Sequence, residues 1–261
     1  MAKASTGRGV ATIERATDVL FLFAEAPGTL GVTDIANELQ ISKAVVHRIV
    51  TSLCDQGLVT ADPVTRRYSL GPAVIQLASA YLDKLDVRAI ALDAMHELMN
   101  ETNETATLSI RNGDQRVYVD QVTPPREVKM TVKVAASFPL HAGASSKAFL
   151  AWLGDDEIER YLTEHDLEAL TDLTIVSESD LRAELQRIRQ QGFAVSLGER
   201  QRGAGSVAAP VLDHTNQPVA VISVCGPVER FREEVASSAA ALVSATRELS
   251  ARLGARPSSG G

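Results

Sequence analysis

The sequence predicts a two-domain α+β chain: a small module of three helices closed by a hairpin, then a larger antiparallel sheet flanked by helices. Three observations carry this. Up to residue 69, three short helical patterns precede two strand-like runs joined by a turn. A Leu70-Gly71-Pro72 step then breaks the chain. Beyond it, helical stretches alternate with whole hairpins rather than single strands, the pattern of an α+β domain and not of a parallel sheet.

In the first module, residues 13–26 carry Ile13, Ala16, Val19, Leu20 and Phe23 at helical spacing, and Pro27-Gly28 ends the run. Thr33 can cap a short helix over residues 34–39 that turns Ile35, Ala36 and Leu39 inward. After a tight Gln40-Ile41 turn, Ser42 is a good N-cap for a third helix with Val45, Ile49 and Leu53 on one face and a stop at Gly57. Leu58, Val59 and Thr60 then lead out, Asp62-Pro63-Val64-Thr65 turns, and residues 66–69 return. Three helices and a hairpin make a winged helix-turn-helix, assigned to residues 10–71.

A linker helix is expected over residues 72–86, its stripe formed by Val74, Leu77 and Tyr81. The second domain, residues 87–254, opens with a helix over 87–100 (Ile90, Met95 and Leu98 inward). Residues 105–110 and 116–121 alternate as strands around Asn112-Gly113, a strong hairpin signal. Residues 128–134 alternate as a further strand, and 145–153 read as helix. Residues 179–191 form an amphipathic helix with Leu181, Leu185 and Ile188 inward and Gly192 as its stop. A second apolar hairpin follows over 205–212 and 218–225, then a last helix on Val235, Ala239, Leu242, Leu249 and Leu253. The small, polar stretch 255–261 is expected to be a disordered tail.

Charge bounds the partners. Of the net −7, residues 1–71 contribute nothing, with seven Lys/Arg against seven Asp/Glu; all the excess acid lies beyond them. A neutral first module can still gather cations on one surface. No apolar run approaches the ~20 residues a membrane span needs, and the N-terminus lacks the apolar core of a secretory signal, so a cytoplasmic protein is expected. Cys54 and Cys225 are isolated thiols, which argues against a disulfide framework or a metal site, and no cofactor motif is present.

With its apolar residues inward, the third helix presents Ser42, Lys43, Ala44, His47 and Arg48 outward. A recognition helix touches base edges through its first turns, and charged donors, small polar groups and a methyl suit the major groove of double-stranded DNA. Thr51 and the wing residues Arg66 and Arg67 are expected nearer phosphates.

The chain also resembles the IclR-type (isocitrate lyase regulator) transcription factors. The resemblance rests on Ile13-Glu14-Arg15-Ala16, the Ser42 to Arg48 stretch with Gly57-Leu58-Val59, and Tyr68-Ser69-Leu70-Gly71-Pro72. In the second domain it rests on Pro139-Leu140-His141-Ala142, Lys147-Ala148, Gly192-Phe193-Ala194-Val195, Val207-Ala208-Ala209-Pro210-Val211 and Ile222-Ser223-Val224-Cys225-Gly226-Pro227. It implies a GAF-like second domain, a dimer joined through the first domain and linker helix and often doubled to a tetramer, a palindromic operator, and a small organic or aromatic acid as effector. The implied effector site maps onto Ala144 and Ser145 at a helix start and onto Ser196, Ser206, Ser223 and Cys225. A helix N-terminus independently favours carboxylates. Departures from the pattern are Ser196 in place of an acid, Ser206 in place of Cys, and Ser146 in place of Gly. No Lys or Arg is among these positions, so backbone amides are expected to supply the positive potential.

Two other classes compete. An enzyme is disfavoured because His141, His165 and His214 are scattered, no nucleophile motif accompanies them, and Lys147 shows no activating neighbour. His141 is expected to tie its loop down. A DNA-binding protein without an effector would leave the long second domain without a purpose. Repression and activation use the same fold.

Overall fold

A computed structural model describes residues 11–82 and 87–256, in two compact units that divide at Leu85 and Asp86.

The first unit runs α1 (Ala11–Glu25), α2 (Val32–Glu38), α3 (Lys43–Asp55), β1 (Val59–Ala61), β2 (Tyr68–Leu70) and α4 (Ala73–Leu82). Val19, Phe23, Ile35, Val46, Ile49, Val50, Leu53 and Val59 form its core, each full burial contributing about 1.5–3 kcal/mol. Ser42 caps α3 as expected, its hydroxyl accepting the Val45 N–H at 3.4 Å. Three details differ from the sequence reading. Ile13 is 65% exposed, because the inward stripe of α1 passes through Val19 and Phe23. Thr33 is not the cap of α2; the Asp34 carboxylate reaches back to the Gly31 N–H at 2.9 Å, and α2 starts one residue before Thr33. Val46 rather than Val45 is fully buried on α3. The hairpin pairs Val59 with Leu70 and Ala61 with Tyr68, and Leu30 bridges to Tyr68 as a short third strand.

The second unit begins with α5 (Val87–Thr102) and the hairpin β3 (Thr105–Asn112) and β4 (Gln115–Val122). Then come β5 (Ser137–Pro139), α6 (Ala144–Ala151), α7 (Asp155–Glu164), α8 (Glu178–Gln191), β6 (Ala194–Leu197), β7 (Ala204–Leu212), β8 (Pro218–Pro227) and α9 (Val228–Arg252). One antiparallel sheet takes the order β5-β4-β3-β8-β7-β6. Residues 220–226 of β8 are buried without alternation, so both faces of the sheet are covered there. Phe149, Leu150, Leu181, Leu185, Ile188 and Val221 join α6 and α8 to the sheet.

The second unit departs from its sequence pattern in places. Asn112 pairs with Gln115, so the turn is Gly113-Asp114, with Gly113 at φ 60°, and not Asn112-Gly113. Residues 128–134 are not a strand: Val128 and Val134 are exposed, and both backbone groups of Val132 bond the Gln121 side chain instead of a neighbouring strand. The strand at this edge is β5. Helix α7 and strand β6 are elements the sequence reading did not assign. Within the expected tail, Ala255 still donates to the Ser250 carbonyl at 2.9 Å, while residues 257–261 lie outside the described residues, as do 83–86 of the linker and the side chain of Tyr81. Among the described residues no helix is long and apolar enough to cross a membrane.

Candidate functional site

Helix α3 sets the first candidate surface. Its buried positions Val46, Ile49, Val50 and Leu53 fix the opposite face, where Lys43, Ala44, His47, Arg48 and Thr51 are exposed behind Ser42. Spacings of three and four residues put these side chains on one stripe. Among the described residues, Lys43, His47 and Arg48 make no side-chain hydrogen bond or ion pair, so their donors are available. Arg15 of α1, which the sequence reading left unassigned, shares a hollow of about 600 Å³ with His47, Arg48 and Thr51.

The two wing arginines differ. Arg66 is exposed at φ 58°, in a turn held by the Asp62 carboxylate, which accepts the Val64 and Thr65 amides at 2.8 and 2.9 Å. Those backbone bonds hold the Asp62 pKa below the ordinary carboxylate value. Arg67 stays at the surface but is engaged: it donates to the Thr29 carbonyl at 2.6 Å and to Asp34 at 2.9 Å. Arg67, expected near a phosphate, ties the wing to the entry of α2 in this structure, whereas Arg66 makes no side-chain hydrogen bond or ion pair among the described residues.

In the second unit, one cavity of about 30 Å³ is lined by all six expected positions: Ala144, Ser145, Ser196, Ser206, Ser223 and Cys225. The register explains why. Ser196 pairs with Ser206 and Ser206 with Cys225, so three small side chains stand in a row across β6, β7 and β8 on one face of the sheet. Helix α6 starts above them after Gly143, whose φ of 89° disfavours any side chain. Ser223 shares a 2.7 Å hydrogen bond with Thr107. Burial pushes the Cys225 thiol up to about 12, so it is a protonated neutral wall.

Two cations that the sequence reading missed also line this cavity, Arg116 and Arg200. Arg116 is 1% exposed. Its Nε donates to Ser146 Oγ and its Nη1 to Ser109 Oγ, both at 3.1 Å, and its guanidinium lies 4.0 Å from the Tyr118 ring centroid and 5.0 Å from that of Phe138. Arg200 stands 4.6 Å from the same Phe138 centroid. The expectation that backbone amides alone supply positive potential is therefore corrected. The missed signal is the polar alternation of β4: Arg116 and Tyr118 are buried while Val117 and Val119 are only half-buried. Hydropathy chooses the wrong face because this strand buries its polar side toward the cavity.

Behind the start of α6, Lys147 is 1% exposed and donates to Glu184 at 2.9 Å, Glu199 at 2.6 Å and the Val195 carbonyl at 3.0 Å. Glu199 also accepts the Gly143 N–H. Burial raises Glu184, but Lys147 and Arg187 outweigh it and hold the carboxyl low; for Glu199 burial dominates and leaves it high. Flanked by two carboxylates, Lys147 is a structural anchor. His141 bonds the Tyr161 hydroxyl and the Glu168 carbonyl and fixes the loop before α6.

A winged helix-turn-helix with free cations on its third helix, in one chain with a sheet domain enclosing a polar cavity, defines a ligand-responsive class of DNA-binding transcription regulator. The chain belongs to the IclR family: residues 12–63 match the IclR helix-turn-helix domain and residues 79–251 the bacterial transcriptional regulator IclR C-terminal domain. It is 32% identical over 253 residues to the HTH-type transcriptional regulator BhcR of Paracoccus denitrificans, covering 97% of this chain and 90% of that one. It is 33% identical to the glycerol operon regulatory protein of Streptomyces griseus, over 94% and 95% of the two chains. Among solved structures, an IclR-type regulator from Silicibacter superposes with a TM-score of 0.83 at 26% identity, covering 95% and 98%. Pseudomonas aeruginosa HmgR gives 0.78 at 28%, covering 95% and 100%.

Proposed function

We propose that this regulator reads a palindromic operator through Ser42, Lys43, Ala44, His47 and Arg48, with Thr51 and Arg66 at phosphates, and that a small organic acid in the second-unit cavity changes operator affinity. The observation that carries the second half is the convergence of six positions from α6, β6, β7 and β8, plus two cations, on one cavity. On α4, Leu77 is 64% exposed on the face it shares with Val74, three residues earlier, an apolar surface that pairing with a second copy would cover; a homodimer or homotetramer follows, with half-site spacing set by its two-fold axis. A DNA partner supports a cytoplasmic reading.

Two substitutions test this. Arg48→Ala should cost about 1–3 kcal/mol of operator affinity and relax preference at one base pair per half-site. Gel-shift titration against operator variants measures both, and wild-type discrimination would overturn the contact. Ser223→Leu fills the cavity and should abolish the effector response while operator affinity without effector stays at the wild-type value. A normal response in a folded variant would put the effector elsewhere.

A further inference from the structure

Arg116 is a buried charge without a counter-ion. Its neighbours are two hydroxyls and two aromatic faces, all neutral, and among the described residues it makes no ion pair. Burying an unpaired cation is costly, and proteins ordinarily answer it with a carboxylate. This domain does so elsewhere: Lys147 has Glu184 and Glu199, and the buried Glu104 holds Arg126 and Arg230. Among the described residues the exception is the one cation that both is buried and lines the cavity.

Arg200 makes the imbalance double. It lies on the loop between Gly198 and Gly203, both at positive φ, and its side-chain partner is the neutral Gln201 amide. Because Arg116 and Arg200 sit 5.0 and 4.6 Å from one Phe138 ring, their guanidinium carbons are no more than about 10 Å apart. The nearest acid on that loop, Glu199, is already matched by Lys147 and the Gly143 amide. Two like charges held this close raise each other's cost, and a doubly negative ligand removes both terms.

We infer that the cavity takes a short dicarboxylate, two to four carbons long, with one carboxylate on the buried Arg116 and the other on Arg200 at the loop. Ser196 and Ser206 supply further donors, and Met130 and Val132 face the hydrocarbon. Guanidinium carbons within about 10 Å of each other suit a short diacid, and a monoacid would leave one of them unmatched. This inference rests on the reading of the cavity as the effector site and names the class of that effector. Arg200 then acts as the residue that separates diacids from monoacids.

The test uses the full chain with malonate, succinate, acetate, propionate and inorganic sulfate, followed by calorimetry and by thermal melting. Succinate or malonate should bind at least about tenfold more tightly than propionate or acetate. Arg200→Gln, on a loop, should bring that ratio to within about threefold while leaving the melting temperature unchanged. Arg116→Gln should lose diacid binding altogether; Arg116→Lys, which keeps the charge but not the fork, should retain part of it. Equal binding of propionate and succinate, an unchanged ratio in Arg200→Gln, or sulfate binding more tightly than either diacid would each overturn the inference. Operator gel shifts separate it from the reading beneath it. A monoacid that binds and shifts operator affinity keeps the effector site and removes the diacid. A diacid that binds without moving operator affinity does the reverse.

Discussion

Lys147→Met is expected to destabilise the second unit by about 3–5 kcal/mol, a fall on the order of 10 °C in its melting temperature. The ammonium is buried against two carboxylates that are themselves only 9% and 12% exposed, so removing it strands two acids in the interior. Methionine replaces the stem but neither the charge nor the bond to the Val195 carbonyl. The loss should depend on pH, with a sign that follows from the directions of the shifts. In the wild type, depressed Glu184 stabilises the fold above its unfolded pKa and loses that contribution as pH falls through its folded value. Raised Glu199 contributes on the acid side and loses that as pH rises through its folded value. Without Lys147 both carboxyls move up, so the variant's deficit should be largest near about pH 8 and shrink toward about pH 4–5 as the acids take up protons. Scanning calorimetry at both ends measures it. A deficit that is small, or equal at the two pH values, would show that the triad carries little of the stability.

What the sequence reveals about this molecule depends on how local the determinant is. Ser42, Gly57 and Gly192 announce helix ends through their own backbone chemistry, and β7 and β8 read as continuous apolar runs because both of their faces are largely buried. The small residues of the cavity were legible through resemblance, since Ser206 and Cys225 meet only through strand register. Arg116 was not legible. In β4 an arginine beside valines reads as the solvent side, and only the sheet order, which lays Ser109 and the start of α6 against it, turns that side inward. Arg67 shows the converse: a turn arginine reads as unpaired, yet Asp34, 33 residues away, pairs with it at the surface. Residues 128–134 alternate like a strand, yet a single glutamine side chain satisfies the backbone that a neighbouring strand would otherwise pair with. Helix α7 escaped because its first turn is three acids and its buried side is only Ile158 and Tyr161.

Gly71→Ala is expected to abolish operator binding by opening the junction between wing and linker helix. The strands β1 and β2 converge there on the turn after α3. Gly71 donates to the Leu58 carbonyl at 2.8 Å, and Ala73 donates to the Gly57 carbonyl at 3.0 Å. A Cβ added at residue 71 would lie 2.3 Å from the Gly57 carbonyl oxygen and 3.0 Å from the Val59 nitrogen. Both obstacles are backbone, so no side chain can swing aside. Relief requires β2 to separate from β1, which breaks the Gly71 bond and loosens the Val59–Leu70 pair beside the buried Val59. Overpacking of this kind typically costs 1–3 kcal/mol, and a rigid backbone clash puts this site at about 3 kcal/mol or above. A small helical unit has little stability to spare, while the second unit shares none of these contacts. The variant should therefore show an early melting transition for the first unit, an unshifted transition for the second, and calorimetric binding in the cavity like that of the wild type. Retained operator affinity with an unshifted first transition would mean that the junction opens at little cost and that the wing does not need the close approach Gly71 provides.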